Sequence, residues 1–126
     1  MNINFTIPGR LPSLNEFLDS TKRHKRGYYA GNDMKRKWER YISAYIPSRY
    51  KGLCLDGKYT VVFKFYEENY RRDPDNISSV ARKFILDALV KNKVLKDDSR
   101  KYIKELQDVY YTDKDRPRIE VMIIEF

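Results

Sequence analysis

The chain has almost no cysteine or histidine, one of each. A single cysteine, Cys54, excludes an internal disulfide and any multi-cysteine zinc site. A single histidine, His24, leaves one imidazole for a Ser-His-Asp arrangement, and it sits inside the basic run "KRHKR". No stretch of about 18 apolar residues is present, so no membrane span is expected. The start, "MNINFTIPGR", has no basic segment leading into an apolar run, and reads as lacking a signal peptide. These absences point to a soluble, intracellular protein. Its 126 residues suit one domain that can bury a core without covalent staples.

Positive charge is what the chain has in excess. The formal charge is +8, which favours polyanionic partners, nucleic acid foremost. Eleven tyrosines are spread among the cations, a mixture that suits contacts to unpaired bases. Surface lysines and core tyrosines are the plainer explanation, and charge alone does not choose between them.

Periodicity yields a coarse map. Ile3, Phe5 and Ile7 alternate as a half-buried strand over 2–7, ended by Pro8-Gly9. Residues 10–32 show no clean period and hold Pro12, Gly27 and Gly31, so a long irregular segment is expected there. Within it, Lys22, Arg23, Lys25 and Arg26 precede Tyr28 and Tyr29. That run is either a solvated charge patch or an arm for DNA phosphates with a tyrosine to stack on a base. Met34, Trp38, Tyr41, Ile42 and Tyr45 predict a helix over 33–46, ended near Pro47. Residues 58–68 read as a strand. Ile77, Val80, Ala81, Phe84, Ile85, Ala88 and Leu89 predict an amphipathic helix over 76–91, with Leu86 opposite its apolar face as a dimer or fold contact. Residues 101–111 and 116–126 read as an antiparallel hairpin. The expectation is one α/β domain with a mixed sheet and two main helices, in the order β-α-β-α-β-β.

Acid is concentrated where the long helix begins. "RRDPDN" places Asp73 and Asp75 two residues apart behind Arg71 and Arg72. Pro74 stiffens the link, and alternate residues of an extended segment face one side, so both carboxylates can face one cation. Hard cations such as Mg²⁺ often take only one or two carboxylates, with water and phosphate completing the shell. Helix capping is the competing role for either aspartate. An EF-hand loop is excluded by its missing glycine and terminal glutamate. "KDDS" adds Asp97 and Asp98 beyond the helix, where a simple turn is the alternative. Asn76, Lys83 and Asp87 share one helical flank, so Lys83 can pair with carboxylates or neutralise a phosphate.

The stretch from "RRDPDN" through "KFILDAL" to "KDDS" resembles the signature of the RusA family of Holliday junction resolvases, as does "IPGRLPSLNE" near the start. The resemblance implies a RusA-like fold and an endonuclease that binds four-way DNA junctions as a homodimer. Such an enzyme uses Mg²⁺ or Mn²⁺ to cut paired strands, in the cytoplasm of a bacterial or virus-infected bacterial cell. It carries the family's essential acids onto Asp73, Asp75 and Asp98. Its functional lysine maps to Lys83 when counted back from Asp87, and to Ser79 when counted forward from Asp75; Arg82 is a neighbour of the first. The helix is about one turn longer here than that pattern. In this reading Arg71, Arg72 and the cations at 22–26 hold flanking DNA. A junction- or single-strand-binding protein without catalysis is the alternative, and a basic RNA-associated domain a third.

Overall fold

A computed structural model describes the backbone of residues 2–22 and 27–126 and the side chains of 2–21 and 32–126. The N-terminal alternation becomes β1 (Ile3–Pro8), with Ile3, Phe5 and Ile7 buried and their neighbours exposed. Helices α1 (Leu14–Lys22) and α2 (Gly27–Tyr45) follow, then a 3-10 turn, Ser48–Tyr50. Strand β2 (Tyr59–Glu67) leads through a short loop into α3 (Pro74–Lys91), and β3 (Ile103–Thr112) and β4 (Arg118–Glu125) complete the chain.

The segment 10–32, expected to be irregular, contains α1 and the start of α2. The signal for α1 was local: the Ser13 hydroxyl accepts from the Glu16 backbone N–H at 3.0 Å, in the Ser-x-x-Glu spacing of a capping box. The helix is then held by packing, with the Phe17 ring edge-on to Phe84 at 6.0 Å between centroids. Helix α2 begins at Gly27, six residues before the expected start; glycine lowers helix propensity by only about 1 kcal/mol and does not by itself stop a helix. Among the described residues there are therefore three α-helices, and the order is β-α-α-β-α-β-β.

The expected hairpin of the last two strands does not form. The sheet order is β1-β4-β2-β3, with β2 and β3 parallel and β4 antiparallel to both β1 and β2. Strand β3 returns beside β2 through the α3 crossover, the usual way to make a parallel neighbour. Strand β4 then passes β2 to reach the centre. Its composition suits that place: Ile119, Val121 and Ile123 enter the core, while Met122 and Ile124 are half-buried on the other face. Strand β3 is left at the edge with its residues 104–107 exposed.

The core joins β1, β4 and β2 to the three helices, and Phe63, Phe65, Ile85 and Leu89 are almost fully enclosed. Helices α2 and α3 pack against the sheet, and α1 packs on both of these helices. Phe63→Ala is expected to cost about 3–5 kcal/mol in urea unfolding, from lost burial and the cavity left behind. Gln107→Ala, on the exposed edge strand, is expected to stay within about 0.5 kcal/mol of the parent.

Candidate functional site

Strand β2 ends at Glu67, and the next six residues carry the chain to α3. Asp73 is the residue before the helix, with φ −75° and ψ 158°, the extended conformation that a following proline demands. Its side chain makes no capping hydrogen bond. The first helical hydrogen bond runs from Ile77 N–H to the Asp73 carbonyl at 3.0 Å, and the Ser78 and Ser79 hydroxyls donate back to the Pro74 and Asp75 carbonyls. Both carboxylates are exposed, and neither has an ion pair or hydrogen bond with a described residue. Capping by side chains therefore does not account for the acid pair. Its place at a helix N-terminus favours negative charge but leaves the oxygens open to solvent.

The charge of Arg72 is spent elsewhere than on the neighbouring acids. Its guanidinium grips Glu67 through two hydrogen bonds, at 2.7 and 2.8 Å, and donates to the Leu11 carbonyl at 2.9 Å. The two side chains are only 11% and 7% exposed. This bidentate geometry is the strong form of the Arg–carboxylate pair. Arg72 thus holds the loop that carries Asp73 against the end of β2 and the segment before α1. Arg71 is exposed, and its guanidinium has no ion pair among the described residues. Tyr70, 90% exposed, stands next to a cleft of about 160 Å³ between the loop and the end of β3. Tyr110 forms part of its wall and reaches the Pro74 carbonyl at 3.5 Å.

Lys83 lies about 12 Å along α3 from Asp75. Its ammonium pairs with Asp87 at 3.1 Å, and Asp87 also receives Lys35 of α2 at 3.0 Å. That second hydrogen bond raises the Lys35 pKa, against a smaller opposing effect of burial. Lys83 remains 64% exposed. Ser79, the other position that motif counting reaches, sits one turn from Asp75. Arg82 points to the opposite flank and pairs with Asp108 of β3 at 3.0 Å. Burial pushes the Asp108 carboxyl above its ordinary range, and Arg82 pulls it part of the way back. The other Asp108 oxygen is buried with no hydrogen-bond partner.

Asp98 is far from the acid pair. Leu95 bridges to Leu55, and Lys96 N–H donates to the Leu55 carbonyl, which ties this loop beside the start of β2. Asp73 lies beyond the end of that strand. Asp98 borders a cleft of about 300 Å³ with Leu86, Arg100 and Lys104. About 16 Å of helix separates Asp75 from Leu86. Within one chain the structure brings Asp73 and Asp75 together and leaves Asp98 apart. Among the described residues, no group of three His, Cys, Asp or Glu side chains could hold a metal ion. Arg23, Lys25 and Arg26 lie outside the described residues, as do the side chains of Lys22, Tyr28 and Tyr29.

No protein-family model matches this chain, and no curated protein matches it. Sequence reasoning missed the Glu67–Arg72 clamp, the Tyr70 and Tyr110 cleft, and the cations at the start of β3. Only the first had a local signal, a glutamate at the end of a mostly apolar strand five residues before an arginine.

Arg72→Ala would leave Glu67 buried and unpaired, and is expected to cost about 3–5 kcal/mol in denaturant unfolding. Asp108 has a native pKa raised above its unfolded value. The stability it contributes is full below the ordinary value of 3.8 and is lost as pH rises through the native pKa. The stability of the parent relative to Asp108→Asn is therefore expected to fall as pH rises from about 3.8, as read from paired denaturation curves across pH.

Proposed function

We propose that the protein is a metal-dependent endonuclease for branched DNA, of the RusA resolvase type, and that two copies together complete each site. The observation that carries this reading is the exposed, unpaired pair of Asp73 and Asp75. They keep their charge free on a basic chain, directly behind two arginines. A protein that only binds phosphate gains nothing from acids at that point, where they repel the ligand.

The donor chemistry fits a hard divalent cation, since two adjacent carboxylates leave positions for water and phosphate oxygens. Such an ion would supply Lewis-acid stabilisation of the phosphoryl charge and an acidified water for in-line hydrolysis. Asp73 and Asp75 would be its ligands. Arg71 draws the flanking backbone toward them. Lys83, exposed and held only by an ion pair with Asp87, is free to turn to a phosphate oxygen. Arg72 acts through position, by fixing the loop.

Asp98 enters from the second copy. Strand β3 is an uncovered edge, with Leu106 41% and Tyr110 37% exposed. It runs from the Asp98 end of the domain to the Asp73 end. Antiparallel pairing of two β3 strands about a two-fold axis lays the Asp98 end of each chain toward the acid pair of the other. The symmetry makes two identical sites, as paired strand cuts require. The separation of Asp98 from the acid pair within one chain equally suits a binder without catalysis, so the test must separate the two.

Incubation with a synthetic four-way junction and a matched duplex, in Mg²⁺ or EDTA, does so. Paired cuts in the junction alone, only with Mg²⁺, are expected. Asp73→Asn is expected to lower the cleavage rate on the order of 10²–10³-fold, because it takes a ligand from the ion that would stabilise the phosphoryl charge. Junction binding should persist, because loss of a carboxylate does not weaken contact with a polyanion. A parent protein that binds junctions but cuts none in any divalent metal would refute the nuclease reading.

A further inference from the structure

Most arginines around the acid site have a carboxylate partner. Arg72 grips Glu67, Arg82 holds Asp108, and Arg118 reaches both Asp113 and Glu120. The cations at the start of β3 differ. Arg100, Lys101 and Lys104 are exposed and lie together around an open cleft of about 410 Å³ floored by Ile103. None has an ion pair with a described residue, although two carboxylates are close by. Glu105 accepts from the Thr60 hydroxyl instead, at 2.9 Å, and Asp98 stays in the adjoining cleft. Lys101 rests only over the ring of Tyr102, 5.6 Å from its centroid. Three cations without a carboxylate partner among the described residues, within five positions, form a strong local field that attracts an anion with several charges in a row.

We infer that this cleft is a contact for the DNA backbone, and that its three cations hold successive phosphates of a duplex arm beside the Asp98 end of the domain. The inference rests on the DNA-directed reading above for its ligand, but not on catalysis. The cleft is open and shallow and its reachable groups are cationic, so it reads charge and spacing and not base sequence. Its place next to Asp98 puts it at the margin of the site that two copies would share. Phosphate held there would keep an arm in line with the strand to be cut.

The experiment uses the full chain in EDTA and fluorescence anisotropy with a labelled four-way junction over a range of salt. The variant carries Arg100→Gln, Lys101→Gln and Lys104→Gln, all at exposed positions. A control carries Lys51→Gln, Lys58→Gln and Lys114→Gln, exposed positions outside the cleft with the same loss of charge. Release of about 0.9 counterions per phosphate contact means that the cleft variant should lose about 2–3 from the slope of log affinity against log salt. The control should lose less than about 1. An unchanged slope in the cleft variant, or equal losses in both, would overturn the inference while leaving any Mg²⁺-dependent cutting by the parent intact. A lost slope with no cutting in any metal would uphold the cleft and refute the nuclease reading. Failure of the parent to bind DNA, with binding to anionic phospholipid vesicles instead, would overturn both.

Discussion

The Arg72 guanidinium fastens three parts of the chain at one point. It closes on Glu67 at the end of β2, reaches the carbonyl of Leu11 ahead of α1, and lies next to Asp73 in sequence. In this half-dry position the paired charges support each other, and removal of either leaves the other stranded. The clamp has two consequences for the surface beyond it. It fixes the stiff Asp73-Pro74-Asp75 link at the mouth of α3. It also commits the Arg72 charge to Glu67, so this guanidinium does not neutralise the acids beyond it.

The rest of the fold arranges itself around the β2-α3-β3 crossover. A parallel return puts the two ends of α3 at opposite ends of the sheet, so any acid after the helix must lie far from the acids before it. This is why Asp98 stands apart from Asp73 and Asp75, and why the proposed chemistry calls for a second chain. The same crossover leaves β3 at the sheet edge, with its backbone free to pair.

Much of the fold was legible in local pattern. The alternation of Ile3, Phe5 and Ile7 and the 3.6-residue period from Ile77 to Leu89 report one-sided burial directly, and the corresponding elements formed. The failures have physical causes. Pro12, Gly27 and Gly31 made 10–32 look irregular, and the Ser13-x-x-Glu16 cap went unread; packing of Phe17 on Phe84 settles that region. Strand pairing was read as local because consecutive strands usually pair. The apolar residues on both faces of β4 were the sign that it belongs in the centre, and Glu105 and Gln107 marked β3 for the edge. At the candidate site, the motif located Asp73 and Asp75 but could not reveal that their side chains are unpaired. Nor could it show that Arg72 faces inward, since ion-pair choice depends on which segments meet in space.

The central claim is that each site draws Asp73 and Asp75 from one chain and Asp98 from the other. Mixing two inactive variants, Asp73→Asn and Asp98→Asn, tests it directly. A mixed dimer would contain one site with both substitutions and one with all three aspartates. Cleavage of a four-way junction in Mg²⁺ should therefore return on mixing, as single-strand nicks up to about half the parental site activity within mixed dimers. If each site were built within one chain, every site in the mixture would carry one substitution. Exchange of subunits confirmed by mass spectrometry, with no recovery of cleavage, would contradict the account.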